Sequence, residues 1–229
     1  MGCARHEQLL GHEERRPVLS GRVVRGFTII ELLVTVTVLA LLMLLGAPSF
    51  ATWMQNSQIR TAAEGILAGA QLARAEAVRR NMPVRFQLTD NLTAACALSS
   101  SGGNWVVSLL DAAGKCNTAP SADAVSGGAG DPRVVQVRAA GEGSANAVIA
   151  SVDTGGNARA CVNFNGLGRQ IPCSAGGSTL GMSIDVSNPS GGICVGAGGA
   201  MRCLRVVVSP MGQVRMCDPQ FGAADPMGC

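Results

Sequence analysis

The sequence predicts an α+β protein: a long N-terminal helix, transmembrane in its first half and amphipathic in its second, packed on an antiparallel β-sheet head domain. Three observations carry that expectation. Residues 27–47 are apolar except for Glu31, Gly46 and threonines, and about 20 such residues span a bilayer as a helix. From Thr52 onward Ile59, Ala62, Ala63, Ile66, Leu67, Ala70, Ala73, Ala77 and Val78 recur at three- and four-residue steps, the period of one helical face. After Pro83, short runs of β-type residues alternate with Gly, Ser and Asn clusters, and no helical period returns.

Residues 1–26 form the first segment. They hold Arg15, Arg16, Arg22 and Arg25 ahead of the apolar run, so the positive-inside bias keeps this leader in the cytoplasm and sends everything after about residue 50 to the far side. Residues 27–50 are the membrane helix and 51–81 its amphipathic continuation. Pro48 predicts a bend rather than a stop. Trp53, just past the apolar run, suits the membrane interface. Asn81-Met82-Pro83 ends the helix, because the residue before proline disfavours the α region. Residues 82–229 are the β-rich head, with strands expected at 84–88, 105–110, 134–138, 147–152, 160–164, 182–186, 204–209 and 214–217. Trp105 opens a strand and is expected in the core. The Gly/Ser-rich stretches 118–131 and 187–200 read as loops.

Glu31 stands out within this frame. Burying a charge at mid-bilayer costs about 2.5–3.5 kcal/mol on insertion scales, and less near an interface. An anchor alone gains nothing from it, so a compensating cation from another chain is expected. A secretory signal with a cut at Ser49-Phe50-Ala51, or a plain signal anchor, leaves Glu31 unexplained.

Composition excludes several function classes. Both histidines lie in residues 1–26 and the chain has no tyrosine and a single lysine, Lys115. Without residues 1–26 the remainder lacks the imidazole of Ser-His-Asp, Cys-His and most metal sites. The carboxylates are scattered singly, so no enzyme, cofactor or metal is expected. Removing five arginines and three acids from totals of 18 and 15 leaves 13 basic and 12 acidic residues, which is close to neutral. No Gly-rich nucleotide loop with its lysine is present. Cys3 falls in the leader. Cys96, Cys116, Cys161, Cys173, Cys194, Cys203, Cys217 and Cys229 follow the apolar run, and an even count in an oxidising compartment reads as disulfides. Eight cysteines allow 105 connectivities. Pairing each with its sequence neighbour closes four short loops, and the other connectivities stay open.

The stretch 25–34 (RGFTIIELLV) resembles the processing motif of the type IV pilin superfamily. The resemblance implies that a prepilin peptidase cuts between Gly26 and Phe27 and methylates the new amine of Phe27. It also implies that Glu31 meets the amine of a neighbouring subunit. Three further patches, 71–84 (QLARAEAVRRNMPV), 162–169 (VNFNGLGR) and 205–217 (RVVVSPMGQVRMC), look like the helix exit, mid-domain turn and closing hairpin of the GspH/FimT family. Residues 111–160 match nothing nameable. The family implies a pilin-like fold and a minor pilin of a type IV pilus, with a type II secretion pseudopilin as the alternative. Its partners would be other pilins, the peptidase and the bacterial inner membrane, with the head in the periplasm. Some FimT-type pilins bind DNA through Gly-Arg-x-Arg in the closing hairpin. Here that stretch is Gly212-Gln213-Val214-Arg215, one arginine short, and Arg169, Arg202 and Arg205 are the candidates to compensate.

Overall fold

The computed structural model of the protein describes residues 26–121, 130–222 and 224–229. The leader, up to residue 25, and most of the expected loop 118–131 lie outside the described residues. Helix α1 (Ile29–Arg80) is 52 residues long and does not stop at Pro48. Compactness divides the chain into two units, 1–45 and 46–229.

In the first unit the large apolar side chains from Ile29 to Leu44 are exposed. Thr35 and Thr37 satisfy their hydroxyls internally, each donating to the carbonyl three residues back (Leu32 O and Val34 O, both 2.9 Å). Their polarity therefore does not oppose an apolar surrounding. Among the described residues no single helix is long and apolar enough to cross a membrane by itself. The stretches Ile29–Leu44 and Ser49–Arg80 meet that requirement of length and composition only when taken together.

In the second unit α1 buries a face of small residues, Ile59, Ala62, Ala63, Ile66, Ala70, Ala73 and Ala77. Small side chains let a sheet approach the helix axis closely. At Gly69 an added Cβ would lie 2.8 Å from the Phe86 ring and 3.0 Å from Trp105. Those rings, with centroids 5.8 Å apart, are the aromatic centre of the core. The helix ends in a Schellman arrangement. Asn81 takes φ +51°, its N–H reaches Val78 O, and Met82 N–H reaches Ala77 O. Pro83 then prevents resumption.

The strands are β1 (Val84–Thr89), β2 (Asn104–Ser108), β3 (Val134–Arg138), β4 (Val148–Asp153), β5 (Cys161–Phe164), β6 (Gln170–Ile171), β7 (Met182–Ser187), β8 (Leu204–Val208) and β9 (Val214–Cys217). All their pairings are antiparallel. They form two sheets, β3-β2-β1-β5-β6 and β4-β7-β8-β9. The alternation of apolar residues predicts which face a strand buries, not which strand it pairs with. The division into two sheets therefore has no local signal. β6 was not expected, since two residues are too short to show a period. β2 stops at Ser108 because Leu109 and Leu110 turn their N–H groups to Arg133 and Pro132. The expected loop 187–200 carries two short 3₁₀ turns, Pro189–Gly191 and Val195–Ala197.

The outer face of the first sheet is buried as well. A second small core of Cys96, Val106, Ala112, Cys116 and Val134 covers it. Gln87, fully buried there, accepts from Ser108 Oγ (3.0 Å) and Ala112 N (3.1 Å) and donates to Asp111 Oδ1 (2.9 Å). The disulfides join sequence neighbours: Cys96–Cys116, Cys161–Cys173, Cys194–Cys203 and Cys217–Cys229. Such short-loop bridges typically contribute about 2–4 kcal/mol each, which offsets a glycine-rich, aromatic-poor chain.

Two predictions follow from this packing. Gly69→Ala lowers stability in urea denaturation by about 1–2 kcal/mol net, because overpacking outweighs the gain in helix propensity; a more stable variant would contradict the close helix–sheet contact. Glu76 bridges Arg79 (2.7 Å) and Arg80 (2.6 Å), and the hydrogen bond from Arg79, with Arg80 behind it, holds its carboxyl below the usual range. A depressed carboxylate stabilises the fold above its unfolded pKa and loses that contribution as pH falls through the folded one. Glu76→Gln should therefore cost about 1 kcal/mol at pH 7, with the gap to wild type closing between about pH 5 and pH 3 in thermal melts.

Candidate functional site

Thr28 starts α1. Its Oγ1 accepts the Glu31 N–H at 3.2 Å and its carbonyl accepts Leu32 N–H at 3.1 Å. It is thus the N-cap, and Glu31 is the third helical residue. The spacing Thr28-x-x-Glu31 is that of a capping box, a signal legible in the sequence beside the charge itself. Two consequences follow for Glu31. The helix dipole favours an anion in this first turn. The capping bond uses the Glu31 backbone, so it survives any change of side chain there. Among the described residues the Glu31 carboxylate has no ion-pair partner, and Phe27, Ile29, Ile30, Leu32 and Leu33 around it are all exposed. Further along α1, Phe50 and Trp53 are exposed and tilted against one another with centroids 5.7 Å apart.

The closing hairpin joins β8 to β9 through Ser209-Pro210-Met211-Gly212-Gln213. Gly212 N–H donates to Ser209 O (2.8 Å) and Ser209 N–H to Gln213 O (2.9 Å). Gly212 sits at φ +82°, and a Cβ there would lie 1.8 Å from Gly168 O. Only glycine meets both demands. The turns at 165–168 and 209–213 are therefore packed backbone to backbone.

The four candidate cations do not converge on one open patch. Arg205 makes a two-pronged pair with Asp185 (2.5 and 2.9 Å), and that bond raises its guanidinium pKa. Arg215 lies on the same face of the second sheet, two register steps away, and donates to Gly228 O (3.0 Å) and Cys229 O (3.4 Å). Arg202 pairs with the buried Asp218 (3.0 Å) and sits over the Phe221 ring. Arg169 stands apart at the hairpin tip, against Met211 Sδ (3.6 Å). Gln213 fills the place of the missing arginine, its N–H held by Ser209 Oγ. A phosphate backbone would have to compete with these internal partners. Among the described residues no group of three or more His, Cys, Asp or Glu is placed to hold a metal ion.

Residues 62–212 match the family described as type II transport protein GspH, and residues 21–47 match the prokaryotic N-terminal methylation motif. No curated protein matches the chain. Among solved structures it is similar to the type IV minor pilin FimU of Pseudomonas aeruginosa in two crystal forms. One is 13% identical with a TM-score of 0.44 over 74% of this chain and 98% of that one. The other is 15% identical with a TM-score of 0.46 over 77% and 98%. With its family match spanning the last third of α1 and most of both sheets, the chain belongs to the GspH family of the type IV pilin superfamily, a family of structural proteins rather than enzymes.

Proposed function

We propose that this protein is a minor pilin, an assembly subunit that helps initiate or cap a type IV pilus. A prepilin peptidase cuts between Gly26 and Phe27, the Phe27 amine is methylated, and the mature subunit stays in the inner membrane with its head in the periplasm until it is incorporated. The observation that carries this reading is a carboxylate, Glu31, with no ion-pair partner among the described residues, four residues past Phe27 in a stretch of α1, up to Leu44, whose large apolar side chains are exposed. An amine from a neighbouring subunit would neutralise that carboxylate, and apolar helices bundled around it would cover the rest. The pair would set register as well as attraction, because a displaced helix separates the charges.

The same chemistry serves a pseudopilus, and the family description names type II transport. A secretion pseudopilin is therefore the second reading. Deleting the gene separates the two: loss of surface pili with secretion intact favours the first, and the reverse favours the second. DNA uptake has no comparable support here, since Arg202 and Arg205 pair with carboxylates and Arg215 with carbonyls, while Arg169 stands apart from them.

The processing scheme makes a direct prediction. Mass spectrometry of the protein from its native membrane should find a chain that begins at Phe27 and carries a methylated amine. A chain that retains residue 26, or one cut near Ala51, would overturn it.

A further inference from the structure

β9 is an edge strand of the second sheet. Ser209 N–H donates to Gln213 O, so Gln213 faces β8. Backbone groups alternate sides along a strand. Val214 and Met216 therefore turn their N–H and C=O away from β8, while Arg215 and Cys217 turn theirs toward it. Asp218, next in this series, finds a partner: its N–H reaches Met227 O (2.8 Å), where the C-terminal tail runs parallel to it. The edge from Val214 to Met216 has no such neighbour among the described residues.

Two recesses lie between this edge and α1. One, about 550 Å³, sits beside Val214 and is lined by Gln71, Arg74, Ala75, Val78 and Arg79. The other, about 490 Å³, sits beside Met216 and is lined by Trp53, Asn56, Leu204 and Met227. Val214 and Met216 are two residues apart on one face, which is about 6–7 Å. That is also the spacing of alternate side chains on an incoming strand. The charge is unequal along the slot. At the Met216 end Arg60 pairs with Glu64 and Arg202 with Asp218. At the Val214 end Arg79 pairs with Glu76, while Arg74 donates to a carbonyl, Gly168 O, at 3.3 Å, and no carboxylate is among the residues that line the recess.

We propose that the β9 edge takes an extended segment from a different pilin-type subunit, with apolar side chains at alternate positions and a carboxylate at the end nearest Arg74. This rests on the assembly-subunit reading above. Main-chain hydrogen bonds to Val214 and Met216 supply attraction, and the two recesses supply selectivity. A second copy of this chain fits poorly: antiparallel β9–β9 pairing brings the Met216 end of one copy, whose carboxylates already pair with Arg60 and Arg202, to Arg74 of the other, so no free carboxylate meets it.

The test uses the full chain in detergent and four fluorescein-labelled peptides of alternating valine and threonine. Two carry a pair of aspartates, at the N- or the C-terminal end, and two carry lysines there instead. One acid-ended peptide should bind, with its lysine counterpart at least about tenfold weaker by anisotropy. Arg74→Glu should reverse that preference. Ala75→Trp, an exposed change that fills the recess, should abolish binding with the thermal melt unchanged. No binding by either acid-ended peptide, equal binding by acid and lysine ends, or undiminished binding to Ala75→Trp overturns the proposal. These readouts do not involve the N-terminus, so a chain found uncut at Gly26 would sink the pilin-processing scheme and leave this result standing.

Discussion

One helix has to be buried on a single face in its second half and on none in its first. In the head, α1 presents alanines to the two sheets, with Ile59 and Ile66 as its large buried residues. Between Ile29 and Leu44 a dozen large apolar side chains face outward. Each such side chain gains about 1.5–3 kcal/mol when it leaves water, so the first stretch is stable only where lipid or other helices cover it. The head has the opposite problem. It is short of aromatics, and its core is completed by backbone closeness at Gly69 and by four bridged loops rather than by bulk.

Glu31 acquires its meaning from that contrast. It is the one charge in an otherwise uncharged apolar run, and it sits where the helix dipole is most favourable to an anion. The dipole reduces the cost of the charge without removing it. Since Thr28 caps the helix through the Glu31 backbone, the side chain is not needed to start α1. Among the described residues its carboxylate has no ion-pair partner, which leaves it to an external one.

Much of this was legible beforehand, for identifiable reasons. The helix exit was readable because the residue before Pro83 disfavours the α region, a local effect; the left-handed turn at Asn81 is the structure's addition. The alanine spacing marked the buried face, and Trp105 fell in the core as expected. Neighbour pairing of the cysteines was the simplest of many connectivities, and the loops close that way. The two-sheet layout was not legible. Pairing β4 with β7 instead of β5 is a long-range choice that no short pattern encodes. Nor were the partners of the arginines. Arg205 and Asp185 are 20 residues apart in sequence and meet only because β7 and β8 pair in that register. From sequence these arginines look like a basic surface; in the fold Arg202 and Arg205 answer to carboxylates and Arg215 to carbonyls.

The central claim is that the Glu31 carboxylate is tolerated because another subunit's amine compensates it. The most direct measurement is the amount of Glu31→Leu and Glu31→Asp protein recovered in sheared filaments, with membrane levels and N-terminal processing measured in parallel. The account predicts that the leucine variant is made, cut and membrane-bound yet falls at least about tenfold in filaments, while aspartate, which keeps the charge, retains a measurable part. Leucine protein incorporated at the wild-type level would contradict it.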